Sequence, residues 1–300
     1  MKAPPVNSTY FAYGLMVISP AMFCSNMIMA RAMVGILPPI TMAFLRWGLV
    51  ALFIGILLWP RLKAHFGTIA SEWRSLMLLG GLGMGLCGAP VYIAGAYTSA
   101  TNIGLIYSTS PLLILLMSVI ALQQKLKVSQ LIGLLMGLCG VVLVLVRGNL
   151  DTLLQVELNR GDLWICLSTA AFSVYSLGLR YLPTKLPALL RLGVMAGAGA
   201  LWHLPFVILE LTSWGAVLQP SWAAAEGVVI LVFIASLGAY ATYGKIVDLV
   251  GAPRASLVLY IVPLYAAGFA LILLGEAVHS YHIMGIALIL PGLWLANQTG

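Results

Sequence analysis

Charged residues are scarce in this sequence. They make up 8% of the 300 residues, against about a quarter in soluble globular domains. Hydrophobic residues reach 62%, which is too many for a surface in contact with water. The net charge of +7 would suggest nucleic acid as a partner of a soluble protein, but here the charges lie almost wholly between long apolar runs. We therefore expect an integral membrane protein that binds no nucleic acid.

Residue patterns that hold metals or perform covalent chemistry are also lacking. The four cysteines lie in apolar stretches without a zinc or haem spacing, and we interpret them as small packing residues. The glycine-rich run from Gly80 to Pro90 lacks the Lys-Ser/Thr of a nucleotide-binding loop. No Asp or Glu lies near the middle of an apolar run, so no buried carboxylate is evident as a proton carrier. These absences argue against a cofactor, an ATP-driven pump and a membrane-embedded enzyme.

Ten apolar stretches are long enough to cross a hydrocarbon core about 30 Å thick, which needs roughly 20 helical residues. They are uniformly apolar rather than alternating, which excludes barrel strands. In chain order they are Tyr10 to Ala30, Ile40 to Trp59, Leu76 to Ala96, Asn102 to Leu122, Val128 to Val146, Gly161 to Leu179, Leu189 to Leu209, Gly227 to Gly244, Ala255 to Leu274, and Tyr281 to Asn297. We predict an all-α integral membrane protein with ten transmembrane helices and short connections.

The basic residues predict the orientation in the membrane. If the N-terminus is inside, only Arg31, Arg147 and Arg160 fall in external loops. The cytoplasmic segments then carry Lys2, Arg61, Lys63, Arg74, Lys125, Lys127, Arg180, Lys185, Arg191, Lys245 and Arg254. Because Lys and Arg accumulate on the cytoplasmic side of membrane proteins, we predict that both termini are cytoplasmic.

The second half of the chain repeats the first. At an offset of 152 residues, Pro111 aligns with Pro263 and Gly133 with Gly285. Further aligned pairs are Ala100 with Ala252, Leu105 with Leu257, Gly140 with Gly292 and, at a slightly smaller offset, Phe23 with Phe172, Arg31 with Arg180 and Arg46 with Arg191. Five spans per half is an odd number, so the second copy is inverted in the membrane. We predict two inverted five-helix repeats, residues 1–149 and 150–300, with a central cavity between them.

These features together resemble the drug/metabolite transporter superfamily, in its ten-span branch of two five-span repeats. The resemblance covers essentially the whole chain. It depends on Pro38 and Phe44-Leu45-Arg46-Trp47 in the second span, on Ala96-Tyr97-Thr98-Ser99-Ala100 leading to Pro111 in the fourth, and on Ala252 to Pro263, Gly275-Glu276, Gly285 and Gly292 in the second half. Gln124 stands where the first repeat of that superfamily commonly has an acidic residue.

The resemblance implies an alternating-access transporter of the bacterial inner membrane, similar to exporters of amino acids and related metabolites, including aromatic amino acids. The expected partners are a small-molecule solute and the lipid bilayer, with the chain acting as a monomer and without a cofactor. Since no proton carrier or ATP motif is evident, we expect facilitated diffusion or exchange. Carriers of the same fold for drugs or nucleotide sugars are the alternative, and a membrane-embedded enzyme is a weaker one.

A stripe of aromatic and hydroxyl residues marks the sixth span. Trp164, Ser168, Phe172 and Tyr175 follow one another at spacings of four, four and three, so they share one face of a helix. Such a stripe suits an amphipathic solute in a central cavity. Packing against neighbouring helices is an equally weighted alternative.

Other spans add candidate substrate-binding residues. Asn26 lies in the middle of the first span, at the position related by the repeat to Tyr175, and an amide there needs a partner in the solute or in another helix. The remaining candidates are aromatic or hydroxyl residues in or next to other spans, namely Tyr97, Tyr107, Ser110, Tyr240 and Tyr260.

Two prolines and one arginine complete the predictions. Pro111 and Pro263 each free a backbone carbonyl and bend a helix, so we expect a related pair of gating bends, with ordinary packed kinks as the alternative. Arg46 is the one Lys or Arg well inside a span. We expect it to satisfy backbone carbonyls or to reach outward, and the binding of a substrate carboxylate is the alternative. Glu276, His279 and His282 are interpreted as solvated residues rather than as a metal site.

Overall fold

The computed structural model describes residues 6–122, 127–149, 159–182, 184–250 and 257–296. The all-α prediction is confirmed, because these residues form helices without any β-strand among them. The α-helices are α1 Val6–Ala32, α2 Pro39–Leu57, α3 Trp59–Ala64, α4 Phe66–Gly80, α5 Ala89–Gly95, α6 Ala100–Tyr107, α7 Ser110–Leu122, α8 Val128–Leu145, α9 Arg160–Tyr181, α10 Ala188–Thr212, α11 Trp222–Val229, α12 Ala239–Val250, α13 Leu257–Leu274 and α14 Ser280–Ala296.

Six helices in the described part of the chain are long and apolar enough to cross a membrane. They cover Gly14–Ala32, Pro39–Leu57, Phe66–Gly95, Arg160–Leu179, Ala188–Thr212 and Trp222–Tyr243. Shorter apolar helices cover Val128–Val144, Ile261–Leu274 and Ser280–Leu295. The fourth predicted span is instead divided between α6 and α7. The count of ten spans and the cytoplasmic position of both termini therefore stay predictions.

The outer surface of the helices is apolar. Ile56, Phe66, Ile120 and Ile272 are each more than two-thirds exposed. A surface of this kind would aggregate in water, whereas lipid tails solvate it. Polar side chains are instead buried in the interior, among them Thr41, Arg46, Asn102, Asp162, Ser168, Glu210, Ser236 and His282. This distribution is that of a multi-pass membrane protein.

The first helix of each predicted half packs against the other half. α1 contacts α12 and α13, while α9 contacts α5 and α7. In the predicted repeat, these partners belong to the third and fourth spans of the opposite half. The first span of each half therefore packs against the third and fourth spans of the other half. The first helix of each half therefore lies at the interface between the halves. The predicted boundary at residues 149 and 150 adjoins residues 150–158, which lie outside the described part, and it stays a prediction.

Glycines bring the last helix of each half, α8 and α14, into close contact. A Cβ atom at Gly140 would lie 2.7 Å from Ile289 Cγ1 and 3.2 Å from the Gly285 carbonyl oxygen. A Cβ atom at Gly292 would lie 2.7 Å from the Gly133 carbonyl oxygen. Since Gly133 aligns with Gly285 and Gly140 with Gly292, both contacts join the same two repeat positions. Small residues allow this approach where lipid provides no hydrophobic drive for helix association.

The third span of each half contains a π-helical segment. Gly81–Leu86 lies between α4 and α5, and Ile230–Gly238 lies between α11 and α12. An offset of 152 residues places the first segment within the second. π-Helical turns redirect backbone groups away from regular helix bonds and are frequent at functional sites. The second of these segments contacts the buried polar residues described below.

The two predicted bends differ in their backbone. α6 ends at Tyr107 and α7 begins at Ser110, so Pro111 lies in the first turn of a new helix, where its missing N–H is tolerated. Pro263 lies inside α13, which continues past it. One half therefore has a helix break and the other a proline within a helix, and the gating role of both prolines stays a prediction.

Candidate substrate site

Arg46, on α2, is the centre of a buried polar cluster. From Nη1 it donates to Asn26 Oδ1 at 2.6 Å and to the Tyr92 hydroxyl at 2.9 Å. From Nε it donates to Ser236 Oγ at 2.7 Å, and from Nη2 to the Ala235 carbonyl at 3.2 Å. Tyr92 donates in turn to Asn26 Oδ1 at 2.8 Å. We call these five residues the arginine cluster.

The arginine cluster joins the two halves of the protein. Arg46, Asn26 and Tyr92 belong to the first half, and the other two residues belong to the second π-helical segment. The expectation that Arg46 satisfies backbone carbonyls is met at the Ala235 carbonyl, although its other three acceptors are side-chain oxygens. The alternative that it reaches outward is wrong, because the residue is only 6% exposed. A guanidinium has five N–H donors. One Nη2 donor therefore has no acceptor among the described residues.

The charge of Arg46 has no counter-ion in the described part of the chain. The one salt bridge found there joins Arg31 to Glu276 at 3.8 Å. A charge removed from water without an opposite charge is costly, and neutral hydrogen-bond acceptors offset that cost in part. The arginine cluster can therefore attract an anionic group.

An aromatic group lies beside the arginine cluster. The ring centroids of Tyr107 and Phe172 are 5.4 Å apart, and those of Phe172 and Tyr175 are 5.9 Å apart. The Tyr107 hydroxyl lies 2.7 Å from Cys87 Sγ, and Ser168 Oγ donates to the Cys87 carbonyl at 3.1 Å. We call these five residues the aromatic group. Three of the four members of the predicted α9 stripe thus lie together.

The two groups of residues adjoin each other. Tyr92 of the arginine cluster and Cys87 of the aromatic group are five positions apart in the third predicted span. Phe172, Tyr175 and Tyr240 pack in one hydrophobic cluster with Trp47, the chain neighbour of Arg46. The Tyr240 ring also contacts the Phe23 ring at a centroid distance of 6.0 Å. The structure therefore brings Asn26, Tyr107, Ser168, Phe172, Tyr175 and Tyr240 into one region around Arg46.

The other predicted site residues lie elsewhere or outside the description. Trp164 is 38% exposed, and no described contact joins it to the aromatic group. Ser110 is buried at the start of α7, where its carbonyl accepts from Ser173 Oγ at 3.2 Å. Tyr97 is mostly exposed and lines a separate cavity. The side chain of Tyr260 lies outside the described residues.

Sequence reasoning missed three polar members of this region. Tyr92 lies two residues after the proline that ends the glycine-rich run, and Ser236 lies in the middle of the eighth predicted span. Either position could have been selected as a polar group at membrane depth. Cys87 was interpreted as an apolar packing residue, but its sulfur and carbonyl both take part in hydrogen bonds. Nothing in its sequence context indicated these partners.

Two carboxylates cap helix N-termini on the face predicted to be external. Glu210 accepts from the Ile40 amide at 3.0 Å, the Thr41 amide at 2.7 Å and the Thr41 hydroxyl at 2.8 Å. Glu276 accepts from the Ala100 amide at 3.0 Å. A negative charge satisfies the free amides and the positive end of the helix dipole. Because each acid belongs to the second half and each helix to the first, these caps tie the halves together at this face.

A buried histidine joins the same face. The His279 amide donates to His282 Nδ1 at 3.0 Å, so Nε2 carries the proton and donates to Asn102 Oδ1 at 3.0 Å. Asn102 Nδ2 and Thr98 Oγ1 both contact Asp162 Oδ1, at 3.4 and 2.5 Å. The interpretation of His282 as a solvated residue is wrong, because it is 1% exposed. The described residues include no group of three or more side chains arranged to hold a metal ion.

Sequence comparisons relate the chain to membrane transporters. The EamA-like transporter family matches residues 10–146 and again residues 159–298. The uncharacterized transporter YyaM of Bacillus subtilis is 24% identical over 273 residues, which cover 90% of this chain and 88% of that protein. The uncharacterized transporter YetK of the same organism is 22% identical over 284 residues, covering 95% and 86%.

Two further comparisons extend this similarity. An uncharacterized transporter of Archaeoglobus fulgidus is 25% identical over 263 residues, which cover 87% of this chain and 88% of that protein. One crystal structure of a protein superposes on 98% of this chain and 97% of its own length, with a TM-score of 0.60 and 21% identity. This last similarity concerns the fold alone.

Proposed function

We propose that this chain, which belongs to the EamA-like transporter family of the drug/metabolite transporter superfamily, exports small amphipathic metabolites across the bacterial inner membrane. Transport as such follows from membership of the family. Amino acids with aromatic or hydrophobic side chains are the solutes that we propose. The mechanism that we propose is alternating access by facilitated diffusion or exchange.

The observation that supports an amino-acid solute is the arginine cluster beside the aromatic group. A solute carboxylate would supply the counter-ion that Arg46 lacks among the described residues, using its remaining Nη2 donor. The rings of Tyr107, Phe172 and Tyr175 would contact an apolar or aromatic side chain. The two groups together match the two ends of such an amino acid.

The arrangement of the halves supports alternating access. The hydrogen bonds from Arg46 to Ser236 and to the Ala235 carbonyl cross from one half to the other, so a solute bound there would contact both. In the proposed cycle, the solute enters from the cytoplasm while Glu210 and Glu276 hold the external end closed. Release then requires both carboxylates to leave their helix N-termini.

Nucleotide sugars are a weaker alternative for the same fold. A diphosphate group carries more negative charge than a carboxylate and usually binds several Arg or Lys side chains. Arg46 is the one cation in the arginine cluster. This charge balance favours a solute with a single carboxylate.

The test is uptake of labelled phenylalanine and leucine into proteoliposomes, with empty liposomes as the blank and with the proton gradient present or absent. We expect saturable phenylalanine uptake in the absence of a proton gradient. Phe172→Ala should reduce it several-fold, while Phe53→Ala, which removes a half-exposed ring paired with Phe233, should not. Uptake only with a proton gradient would contradict facilitated diffusion. Uptake of a nucleotide sugar or a drug but of no amino acid would contradict the proposed solute.

A further inference from the structure

A cavity opens on the face predicted to be external. It has a volume of about 300 Å³, enough for a solute of amino-acid size. Buried polar side chains form part of its lining, namely Thr98, Asn102 and His282. Tyr97 and Tyr281 add aromatic surface, and the Tyr281 ring lies 4.2 Å from the His282 ring. We call this space the outer cavity.

Arg147 lines the outer cavity in a strained backbone conformation. Its φ is 52°, and it is the one non-glycine residue with a positive φ in the described part of the chain. It follows the end of α8, where the Gly148 amide donates to the Leu143 carbonyl at 3.0 Å and the Arg147 amide donates to the Val144 carbonyl at 3.1 Å. These bonds define a Schellman motif, and its left-handed position normally holds glycine. An arginine is placed there despite the steric cost.

The charges around the outer cavity leave the Arg147 guanidinium without a salt bridge in the described part of the chain. Glu276 is engaged by the α6 N-terminus and by Arg31, whose Nη1 also donates to the Gly95 carbonyl at 2.8 Å. Asp162 is buried outside the lining, where it accepts from Thr98 and Asn102, and Arg147 is near enough to act on it electrostatically without forming a salt bridge. The guanidinium of Arg147 has no hydrogen bond or ion pair with any side chain that the structure describes. It is therefore the cation that can receive an anion from this cavity.

We propose that the outer cavity is a second solute site, in which Arg147 binds the carboxylate of an amphipathic solute on the external side of the arginine cluster. The polar side chains of Thr98 and Asn102 lie within the same cavity, and its aromatic rings would contact the apolar part of the solute. The identity of this solute with the transported one rests on the proposed function. The binding of a carboxylate at Arg147 is independent of the proposed function.

The test is protection of Arg147 against phenylglyoxal, a reagent for arginine, in the purified full-length protein in detergent. The extent of modification at each arginine is measured by peptide mass spectrometry. The probes are phenylalanine, 3-phenylpropionate and phenethylamine, which share a ring but differ in the carboxylate. Arg160 is the internal control, because it is exposed at the start of α9 and does not line the outer cavity.

We expect phenylalanine and 3-phenylpropionate to slow modification of Arg147 several-fold, and phenethylamine to have no effect. Arg160 should react equally in all samples. No reaction of Arg147 without a probe, equal protection by phenethylamine, or equal protection of Arg160 would each overturn the proposal.

A variant separates this site from the arginine cluster. In Arg46→Met, protection of Arg147 by phenylalanine should persist, whereas loss of protection would mean that the probe acts from the central site and would overturn the proposal. If phenylalanine protects Arg147 but the wild-type protein does not take up phenylalanine, the proposed function is contradicted and the proposal of an outer site is retained. If phenylalanine is taken up but does not protect Arg147, only the proposal of an outer site is overturned.

Discussion

Replacement of Arg46 by Met distinguishes a structural arginine from a substrate-binding one. Methionine keeps much of the side-chain length but removes the charge and all four hydrogen bonds. Hydrogen bonds made by side chains inside membranes contribute about 0.6 kcal/mol each on average, so the four together stabilise by about 2.4 kcal/mol. An arginine in the middle of a membrane helix costs about 2.5 to 3.5 kcal/mol on insertion scales.

The two contributions nearly cancel, so Arg46→Met should change the free energy of unfolding by no more than about 1 kcal/mol. The former acceptors of Arg46 keep other hydrogen bonds, because Asn26 Oδ1 still accepts from Tyr92 and Ser236 Oγ still donates to the Leu231 carbonyl at 2.8 Å. Transport of a carboxylate solute should nevertheless fall by at least tenfold, which corresponds to about 1.4 kcal/mol of lost binding.

The measurements are reversible unfolding in mixed detergent micelles and uptake in proteoliposomes. Arg191→Met is the matched control, since Arg191 is the repeat counterpart and donates to the Leu182 carbonyl at 3.3 Å outside the arginine cluster. The control should keep its transport. Destabilisation of Arg46→Met by more than about 3 kcal/mol, or transport equal to that of wild type, would refute the reasoning and assign Arg46 a structural role.

Three further predictions concern packing, backbone strain and helix capping. Gly95→Ala should destabilise the protein by about 2 kcal/mol, because the added Cβ would overlap the Ala30 carbonyl oxygen, while Gly14→Ala, which has open space, should change stability by less than about 1 kcal/mol in the same unfolding assay. Arg147→Gly should stabilise the protein by about 1 kcal/mol through relief of the left-handed backbone, and a destabilised variant would contradict that account. Glu210→Gln should speed hydrogen exchange of the first amides of α2 at least several-fold, and unchanged exchange would show that the carboxylate does not hold that helix end.

The sequence predicted the class of the protein correctly where strong chemical patterns exist. Its composition predicted apolar helices, and the glycines through which α8 and α14 contact each other occupy positions that the repeat alignment had identified as equivalent. The helical spacing on α9 also placed Ser168, Phe172 and Tyr175 side by side. Periodicity works in these cases because it depends on the regular geometry of one helix.

Sequence patterns did not predict the surroundings of groups whose partners lie far away in the chain. Trp164 shares the α9 spacing but is more than a third exposed, and His282 is buried although it begins a helix next to a predicted external loop. Arg46 binds Asn26 and Ser236, which are 20 and 190 positions away. Spacing within one helix gives no information about such partners.

The sequence by itself determined that the chain lies in a membrane, that it is helical, and that its halves are related, because length, apolar composition and repeated Pro and Gly positions are properties of the chain alone. The tertiary structure decided which polar groups meet, which acids cap which helices, and that Arg147 faces a cavity. The physical reason is that lipid-facing and buried faces of a membrane helix are almost equally apolar. The pattern of one helix therefore does not reveal its neighbours, and only packing among the helices defines them.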